Sequence, residues 1–311
     1  MITLQQLEYI VAVDKYRHFV TASEHCFVTQ PTLSMQIKKL EDRLNVVIFD
    51  RSKQPIVPTI IGAKIIEQAK EVLYQSRKIN EIIKDEENSI SGDLSIGIIP
   101  SLAPYLLPKF IGNFSKKYPQ LNISINEMLS EDIINTLKND EIDVGLLVTP
   151  LNEKGIFETP LFYEEILLYV NPNHPFAKAK EVFTYEIATE KLWLMSEGNC
   201  FRTQVINLCD YSSKLEESKH FKFESGSLET IVNIVNYEGG YTLLPELATI
   251  DVSKKGIVKS FANIKPLREV GMVTSRTNVK SKILELFAEE IKTSVPQNLL
   301  DANNGKIVYW R

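Results

Sequence analysis

Apolar side chains recur at the spacing of short helices near the start of the chain. Leu4, Leu7 and Ile10 follow the helical period, and a second short helix is predicted in FVTASEHCFV. Thr29 and Pro31 mark the start of a third helix, QPTLSMQIKKLEDRL, because threonine suits an N-cap and proline the first helical turn. Two short helices in succession, the second with a polar and basic outer face, predict a helix-turn-helix. The VVIFDRSKQPIVPT stretch that follows predicts a two-stranded wing.

From residue 60 the pattern changes to that of one long helix. Its apolar residues approximate a heptad seam, and no proline interrupts the stretch up to residue 87. A lone helix of about 28 residues cannot bury such a seam, so packing against a second copy in a dimer is expected. The charged residues at 84–87 and the Ser91-Gly92 pair predict a linker after the helix.

Strand patterns alternate with amphipathic helices from residue 93 onward. This alternation predicts an α/β fold with mainly parallel sheets. The expected strands are GDLSIGIIP, LNISINEM, EIDVGLLV, EEILLYVNP, KLWLMSEG, FKFES and GGYTLLPE. The segment is long enough for two sub-sheets, with a ligand crevice expected between them at the carboxyl ends of the strands.

These patterns divide the chain into an N-terminal helical part, a linker helix and a larger α/β part. We expect a winged helix-turn-helix over 1–59, a linker and dimerisation helix over 60–90, and an α/β domain over 91–300. Within the α/β domain, subdomain I is expected over 91–163 and 268–300, and subdomain II over 164–267. Residues 301–311 form a C-terminal tail for which the sequence indicates no role.

Composition excludes several classes of protein. With 44% hydrophobic and 24% charged residues, the 311-residue chain has the composition of an ordinary globular protein, not of a collagen, a disordered chain or a disulfide scaffold. No apolar run approaches the roughly 18 residues that span a bilayer, and MITLQQLEYI does not have the pattern of a secretory signal. Three cysteines favour a reducing compartment, so we expect a cytoplasmic location and no membrane partner. The net charge of −5 argues against a protein that coats nucleic acid nonspecifically.

Residues 19–51 resemble the winged helix-turn-helix of LysR-type transcriptional regulators. The shared positions are Ala22, Gln30-Pro31, Ser34-x-Gln36-Ile37, Leu40-Glu41, Leu44 and Phe49-x-Arg51, with Pro58-Thr59 and Gly62 beyond them. Asn45 departs from the glycine usual in the family, which we interpret as a local change of helix cap.

This resemblance implies a regulator rather than an enzyme. Its implied fold has a long linker helix before a periplasmic-binding-protein-like effector domain of two subdomains. Its implied partners are double-stranded DNA at an interrupted palindrome, further copies that form a dimer and then a tetramer, and RNA polymerase. The residues expected to contact DNA are Gln30, Pro31, Thr32, Ser34, Met35, Lys38, Arg51 and Lys53.

A second stretch, MSEGNCFRTQVINLCD, is similar to the hydrogen-peroxide-sensing branch of that family. IIPSLAPYLLP upstream and SLET and GGYTLLPE downstream extend the similarity. The resemblance implies that Cys200 is the peroxide-reactive thiol and that Cys209 is its disulfide partner. It also implies that Ser101, Ser130 and Arg276 help to bind peroxide. Asn199 stands where a histidine is common, so no imidazole assists the thiol from that position.

The residues around Cys200 suit this chemistry in their own right. Cys200 begins a predicted helix, whose N-terminal N–H groups favour a thiolate, and Arg202 two residues later is expected to support it. Nine helical residues rise by roughly 13–14 Å, whereas a disulfide needs Cα atoms within about 7 Å. Oxidation to a Cys200–Cys209 disulfide is therefore expected to rearrange the segment and act as a switch. Two cysteines at this spacing are a poor zinc signature, and His220 alone does not complete one, so no metal or cofactor is expected.

Three alternatives stay open at this point. Cys200 can be a small buried hydrophobe without reactivity, as most free cysteines are. The chain can be a LysR-type regulator of the same build that responds to a metabolite in its crevice. It can also be a thiol peroxidase or a solute-binding protein with an added helical domain. The favoured function is a DNA-binding activator that controls oxidative-stress genes through a reversible Cys200–Cys209 disulfide.

Overall fold

The computed structural model describes residues 1–86, 90–187, 191–209, 225–250, 256–275 and 280–311. The chain divides into two compact units that meet in sequence at residues 89 and 90. We call them the N-terminal unit and the C-terminal unit. In the described part of the chain, no helix has both the length and the apolar character needed to cross a bilayer.

The N-terminal unit is a winged helix-turn-helix, as the pattern of apolar residues predicts. Its elements are α1 Leu4–Tyr16, α2 Phe19–His25, α3 Gln30–Leu44, β1 Phe49–Asp50, β2 Val57–Pro58 and α4 Ile60–Glu86. Strands β1 and β2 pair antiparallel and form the predicted wing. Thr29 caps α3 by accepting a hydrogen bond from the Thr32 amide, and Pro31 lies in the first turn. Asn45 ends α3 in the left-handed conformation that glycine or asparagine tolerates, so the cap survives without the glycine usual in the family.

Helix α4 buries part of its apolar seam within its own unit. The dimer on this helix stays a prediction, but Ile66, Ala69 and Leu73 are covered without a second copy, in the core beneath α1. The reason is that α1 supplies an apolar face alongside α4. Val72 and Ile79 are exposed and leave an apolar strip on the helix.

The C-terminal unit contains the predicted alternation of strands and helices. Its elements are β3 Gly92–Ile98, α5 Ala103–Lys117, β4 Leu121–Glu127, α6 Ser130–Lys138, β5 Val144–Thr149, β6 Ile156–Val170, α7 Pro175–Lys178, α8 Cys200–Leu208, α9 Leu228–Glu238, β7 Tyr241–Pro245, α10 Glu246–Thr249, β8 Ile257–Lys259, β9 Pro266–Ser275, α11 Ser281–Ser294 and β10 Lys306–Ile307. Short 3₁₀ turns lie at Thr184–Glu186, Gln297–Leu300 and Ala302–Asn304.

The sheet of this unit is mixed, which corrects the expectation of mainly parallel pairing. Its order is β4-β3-β5-β9-β6-β7, with β10 beside β9 and β8 beside β6. Strands β4, β3 and β5 are parallel, but β9 runs antiparallel to both β5 and β6. The reason is that β6 carries the chain out of the first half and β9 brings it back, so the two crossing strands run in opposite directions. Two hydrophobic cores result, one on each half, in agreement with the two-subdomain fold.

Two of the expected strands are not present as such. KLWLMSEG forms only an isolated bridge between Leu192 and Tyr241, and the rest is irregular up to Gly198, whose φ is positive. The apolar run there packs as single side chains around the second core rather than in a ladder. Residues 221–224 of the predicted FKFES strand lie outside the described residues.

Residues 301–311 are not a loose tail. Strand β10 pairs with β9 in parallel, and the Trp310 indole is buried with its Nε1 donating to the Val148 carbonyl at 3.0 Å. The sequence carries no signal for this contact, because the indole and the carbonyl are 162 residues apart.

Candidate redox site and DNA-contacting surface

Cys200 is the first residue of helix α8 and is almost wholly buried, with 3% of its surface exposed. It packs into the first hydrophobic core, whereas its neighbour Phe201 packs into the second. Asn199 precedes it as the helix N-cap but does not cap α8 with its side chain. Its amide instead donates to the carbonyl and the hydroxyl of Ser196, both at 3.0 Å, and so fixes the loop that leads into the thiol.

Burial raises the pKa of the Cys200 thiol, which is the opposite direction to the effect expected from the helix N-terminus. Four groups oppose that effect: the Ser130 hydroxyl, the charge of Arg268, and the backbone N–H groups of Phe201 and Cys200. The helix N-terminus therefore acts in the predicted direction, but the loss of water around a fully enclosed sulfur outweighs it.

Ser101 and Ser130 are brought to the same edge of the sheet by the parallel pairing of β3 and β4, and of the two Ser130 interacts with the Cys200 thiol. Ser101 lies in the turn after β3, and Ser130 begins α6 just after β4, so both lie at the carboxyl edge of the same sheet. Both are almost completely buried. The Ser130 hydroxyl has no oxygen or nitrogen partner in the described part of the chain, so it can donate to the sulfur or to an incoming oxygen atom.

Arg268 is the cation of the site, a role that sequence reasoning assigned to other arginines. Its Nη1 donates to the Ser101 hydroxyl at 3.0 Å, and its Nη2 donates to the Ser101 carbonyl at 3.1 Å. Its Nε donates to Glu164 Oε1 at 2.8 Å, and both charged side chains are fully buried. The guanidinium carbon also lies 5.4 Å from the centre of the Phe201 ring. Glu164 accepts a further hydrogen bond from the Leu247 amide at 2.9 Å.

Of the two arginines named from the sequence, the structure describes Arg202. Arg202 donates to the Met195 carbonyl at 3.0 Å, and the charge that acts on the Cys200 thiol is that of Arg268. Arg276 lies outside the described residues. Arg268 and Glu164 carry a signal that sequence reasoning missed, namely charged residues within otherwise apolar strands, where a charge is retained only when it is paired.

Cys209 lies at the opposite end of α8, as its C-cap. It is 8% exposed and packs into the second core, and burial raises its pKa to about 12. Because α8 is helical from Cys200 to Leu208, the two cysteines are separated by a rise of roughly 13–14 Å. All three cysteines of the chain are free thiols here.

Cys26 is half-buried and caps α2, as expected of a packing residue. Burial and the nearby Glu8 carboxylate raise the pKa of its thiol. Among the described residues no group of three or more His, Cys, Asp or Glu side chains is arranged to hold a metal ion.

The predicted DNA-contacting residues lie on the outer face of α3 and on the wing. Leu33, Ile37 and Leu40 are buried on the inner face of α3, which turns the intervening positions outward. Gln30, Pro31, Met35, Lys38, Arg51 and Lys53 are exposed, and Thr32 and Ser34 are partly exposed.

Arg51 has a structural role that the sequence did not reveal. Its Nη2 is paired with Glu41 Oε2 at 2.9 Å, and its Nη1 donates to the Ser34 hydroxyl at 3.4 Å. Glu41 in turn accepts from the amides of Ile48 and Phe49 at 2.7 and 3.3 Å. Arg51 therefore ties the wing to α3, and its guanidinium is available to a phosphate only on its exposed side.

We expect Arg268→Met to lower the free energy of unfolding by about 3–5 kcal/mol, because it leaves Glu164 as an unpaired buried charge. Urea denaturation with intrinsic fluorescence measures the loss. A double variant, Arg268→Met with Glu164→Leu, is the control and should recover part of the stability, since it removes the unpaired carboxylate as well. A loss below about 1 kcal/mol in the single variant would contradict this account of the pair.

Comparison with known proteins matches both units of the chain. Residues 4–63 match the bacterial regulatory helix-turn-helix protein family of lysR type, and residues 87–296 match the LysR substrate binding domain. The DNA-binding transcriptional dual regulator OxyR of Escherichia coli K12 is 34% identical over 291 residues, which are 93% of this chain and 94% of that protein.

Solved structures agree with the sequence matches. A full-length OxyR variant from Pseudomonas aeruginosa has a TM-score of 0.73 and 32% identity, covering 94% of this chain and 98% of that one. An H2O2-bound OxyR mutant from Corynebacterium glutamicum has a TM-score of 0.61 and 27% identity, covering 94% and 92%. The chain therefore belongs to the LysR family of transcriptional regulators and is a homologue of OxyR along almost its whole length.

Proposed function

We propose that this protein is a DNA-binding transcriptional activator that senses hydrogen peroxide through Cys200. The observation that carries the proposal is the surroundings of that thiol: the Ser130 hydroxyl without another polar partner, the buried Arg268 charge, and Cys209 at the far end of the same helix. A thiol that serves only for packing needs neither a donor without a partner nor a buried cation beside it. The homology of this chain with OxyR supports the same function.

The first chemical step is oxidation of Cys200 to a sulfenic acid. The small thiolate fraction attacks one oxygen of peroxide, so that an S–O bond forms and the O–O bond breaks. The departing hydroxide takes up a proton and leaves as water. In this proposal Ser130 donates to the peroxide, and Arg268, which donates a hydrogen bond to Ser101, offers positive charge to the developing anion. The role of Arg276 in binding peroxide stays a prediction.

The second step closes the disulfide. The Cys209 thiolate attacks the sulfenic sulfur, an S–S bond forms, the S–O bond breaks, and a second hydroxide leaves as water. In total, peroxide is reduced to two waters and the two thiols lose two electrons. A thiol reductant reverses the change by thiol–disulfide exchange.

Closure requires α8 to unwind, because the helical form keeps the two cysteines too far apart for a bond. Its residues pack into both hydrophobic cores, so unwinding changes the packing between the two halves of the C-terminal unit. In this proposal that rearrangement alters how copies of the chain assemble. The assembly is a dimer built on the exposed strip of α4 and a tetramer of two such dimers.

On DNA the tetramer reads an interrupted palindrome, with one α3 helix in the major groove at each half-site and the wings on the adjacent backbone. RNA polymerase is the partner that the rearranged tetramer engages at oxidative-stress genes. In this proposal the switch operates in a reducing compartment, the cytoplasm, where Cys200 and Cys209 stay free thiols until peroxide arrives.

We expect Cys200→Ser to abolish disulfide formation and the transcriptional response, while DNA binding by the other unit is retained. Reduced protein is treated with one equivalent of hydrogen peroxide, alkylated, and weighed intact, with peptide mapping of the linked cysteines. Cys209→Ser should instead accumulate a sulfenic acid that a dimedone-type probe traps. Cys26→Ser is the matched control, because it removes a half-buried thiol in the N-terminal unit. This variant should behave like the unmodified sequence.

Full alkylation of all three thiols at micromolar peroxide would refute the sensor proposal. The remaining candidate would then be a LysR-type regulator that binds a metabolite between the regulatory subdomains. That candidate predicts a transcriptional response that is indifferent both to peroxide and to Cys200→Ser.

The rate of Cys200 oxidation is expected to rise with pH. Because burial raises the pKa of this thiol above its ordinary value, the reactive thiolate is a minor species at neutral pH and grows about tenfold per pH unit. Stopped-flow measurement of sulfenic acid formation in Cys209→Ser from pH 6 to about 8.5 tests this. A rate that is already constant below pH 7 would show that the pKa is lowered instead.

Lys53→Met should weaken binding to all DNA sequences by a similar factor and reduce the slope of log affinity against log salt by about 1. The reason is that an exposed lysine on the wing contacts phosphate rather than base edges. Fluorescence anisotropy at several salt concentrations measures the slope. Lys180→Met makes the same charge change in the other unit and should leave the slope unaltered. An unchanged slope in Lys53→Met would remove this residue from the interface.

A further inference from the structure

The segment Lys306–Arg311, which we call the strap, runs along both halves of the C-terminal unit. Its first two residues form β10 beside β9. Val308 then inserts into the second hydrophobic core and Trp310 into the first, each with 9% of its surface exposed. Val308 and Trp310 of the strap therefore connect the two hydrophobic cores. Side chains of α8 also pack into both of these cores.

The strap accepts two hydrogen bonds from helix α8. Gln204 Nε2 donates to the Val308 carbonyl at 2.7 Å, and Asn207 Nδ2 donates to the Tyr309 carbonyl at 2.9 Å. Gln204 and Asn207 are three residues apart and share one face of the helix. Gln204 is fully buried, and its Oε1 has no partner in the described part of the chain. The amide is thus retained in an apolar setting where it makes one bond, the bond to the strap.

The other end of the strap is attached to the helix that carries Ser130. Arg311 pairs with Glu131 at 2.5 Å and with Glu153 at 2.8 Å. Glu131 is the second residue of α6, directly after Ser130. The Trp310 indole adds its hydrogen bond to Val148 on β5. The strap therefore connects the helix between the two cysteines to the elements that surround the peroxide-reactive thiol.

We infer that the strap holds α8 in its helical form and so opposes closure of the Cys200–Cys209 disulfide, an inference that rests on the proposed peroxide-sensing function. When α8 unwinds, Gln204 and Asn207 leave the strap, and two carbonyls lose their partners. The strap thereby slows the step in which Cys209 displaces the hydroxyl of the sulfenic acid as water. A slower step lets more sulfenic acid accumulate at Cys200. The reaction at Cys200 itself does not depend on the strap.

The first test uses the reduced protein and needs no oxidant. In Gln204→Met the side chain keeps its length, and methionine has a helix propensity close to that of glutamine, but the bond to Val308 is lost. Backbone amide exchange in α8, measured by mass spectrometry, should become about fivefold faster, as expected for the loss of one hydrogen bond. Asn207→Ala removes the second, exposed bond and should act in the same direction without disturbing the core.

A matched control separates the strap from helix propensity. Thr203→Ala changes the same helix one turn before Asn207, at a residue with no hydrogen bond to the strap. In both Thr203→Ala and Asn207→Ala, the new alanine has the higher helix propensity. Thr203→Ala should therefore slow amide exchange in α8, whereas Asn207→Ala should accelerate it. Unchanged or slower exchange in both Gln204→Met and Asn207→Ala would overturn the inference.

The second test measures disulfide closure after oxidation. Rapid mixing with peroxide, quenching by alkylation and mass spectrometry give separate rates for sulfenic acid formation and for disulfide formation. The strap variants should accelerate only the second rate, by about fivefold. Equal acceleration of both rates, or of neither, would overturn the inference.

Diamide, a thiol oxidant that needs no peroxide site, is used in parallel. If peroxide fails to oxidise the protein, the peroxide-sensing proposal fails, and the diamide closure rates alone decide the role of the strap.

Trp310 reports release of the strap directly. The chain has two tryptophans, so Trp193→Phe leaves Trp310 as the single indole. Its emission should shift to longer wavelength in step with disulfide formation, because the strap that positions the buried ring loses its two hydrogen bonds from α8. An emission that stays constant while the disulfide forms would contradict release of the strap.

Discussion

The C-terminal unit depends on the pairing of two fully buried charges, Arg268 on β9 and Glu164 on β6. These residues face each other in the antiparallel register of the two strands that carry the chain between its cores. Neither charge has contact with water, so each requires the other, and the planar guanidinium has further fixed donors for Ser101. The pair thus fixes where the positive charge of the redox site lies between the two strands. A site built on loops alone would hold that charge less rigidly.

Burial has opposing consequences at Cys200. It places the sulfur in the first core and raises the pKa of the thiol, which lowers the resting fraction of the reactive form. It also excludes water from the region where the Ser130 hydroxyl and the Arg268 charge act, and both interact more strongly with an anion there. In the proposed mechanism the site therefore favours the charge that develops during reaction with peroxide rather than a permanent thiolate. This arrangement suits a sensor, which must stay unreacted until its oxidant arrives.

Helix α8 joins the chemistry to the shape of the unit. Cys200 packs into one core while Phe201 and Cys209 pack into the other, so a covalent bond between the two cysteines cannot form within the packed arrangement. Because closely packed cores do not deform continuously, α8 is expected to switch between two discrete arrangements. The strap accepts hydrogen bonds from α8 and is anchored beside Ser130. Unwinding of α8 is therefore expected to break the contacts between the strap and this helix.

The sequence by itself determined the winged helix-turn-helix, the long helix after it, most of the strands, and the stretch that contains Cys200 and Cys209. Those features depend on caps, periodicity and short motifs, which act over a few residues. Only the tertiary structure decided that Arg268 meets Glu164 across 104 residues, that Arg51 is tied to Glu41, and that residues 306–311 bind α8. It also decided that burial raises the pKa of Cys200, because the opposing effect of a helix N-terminus is local, whereas desolvation comes from every element that encloses the sulfur.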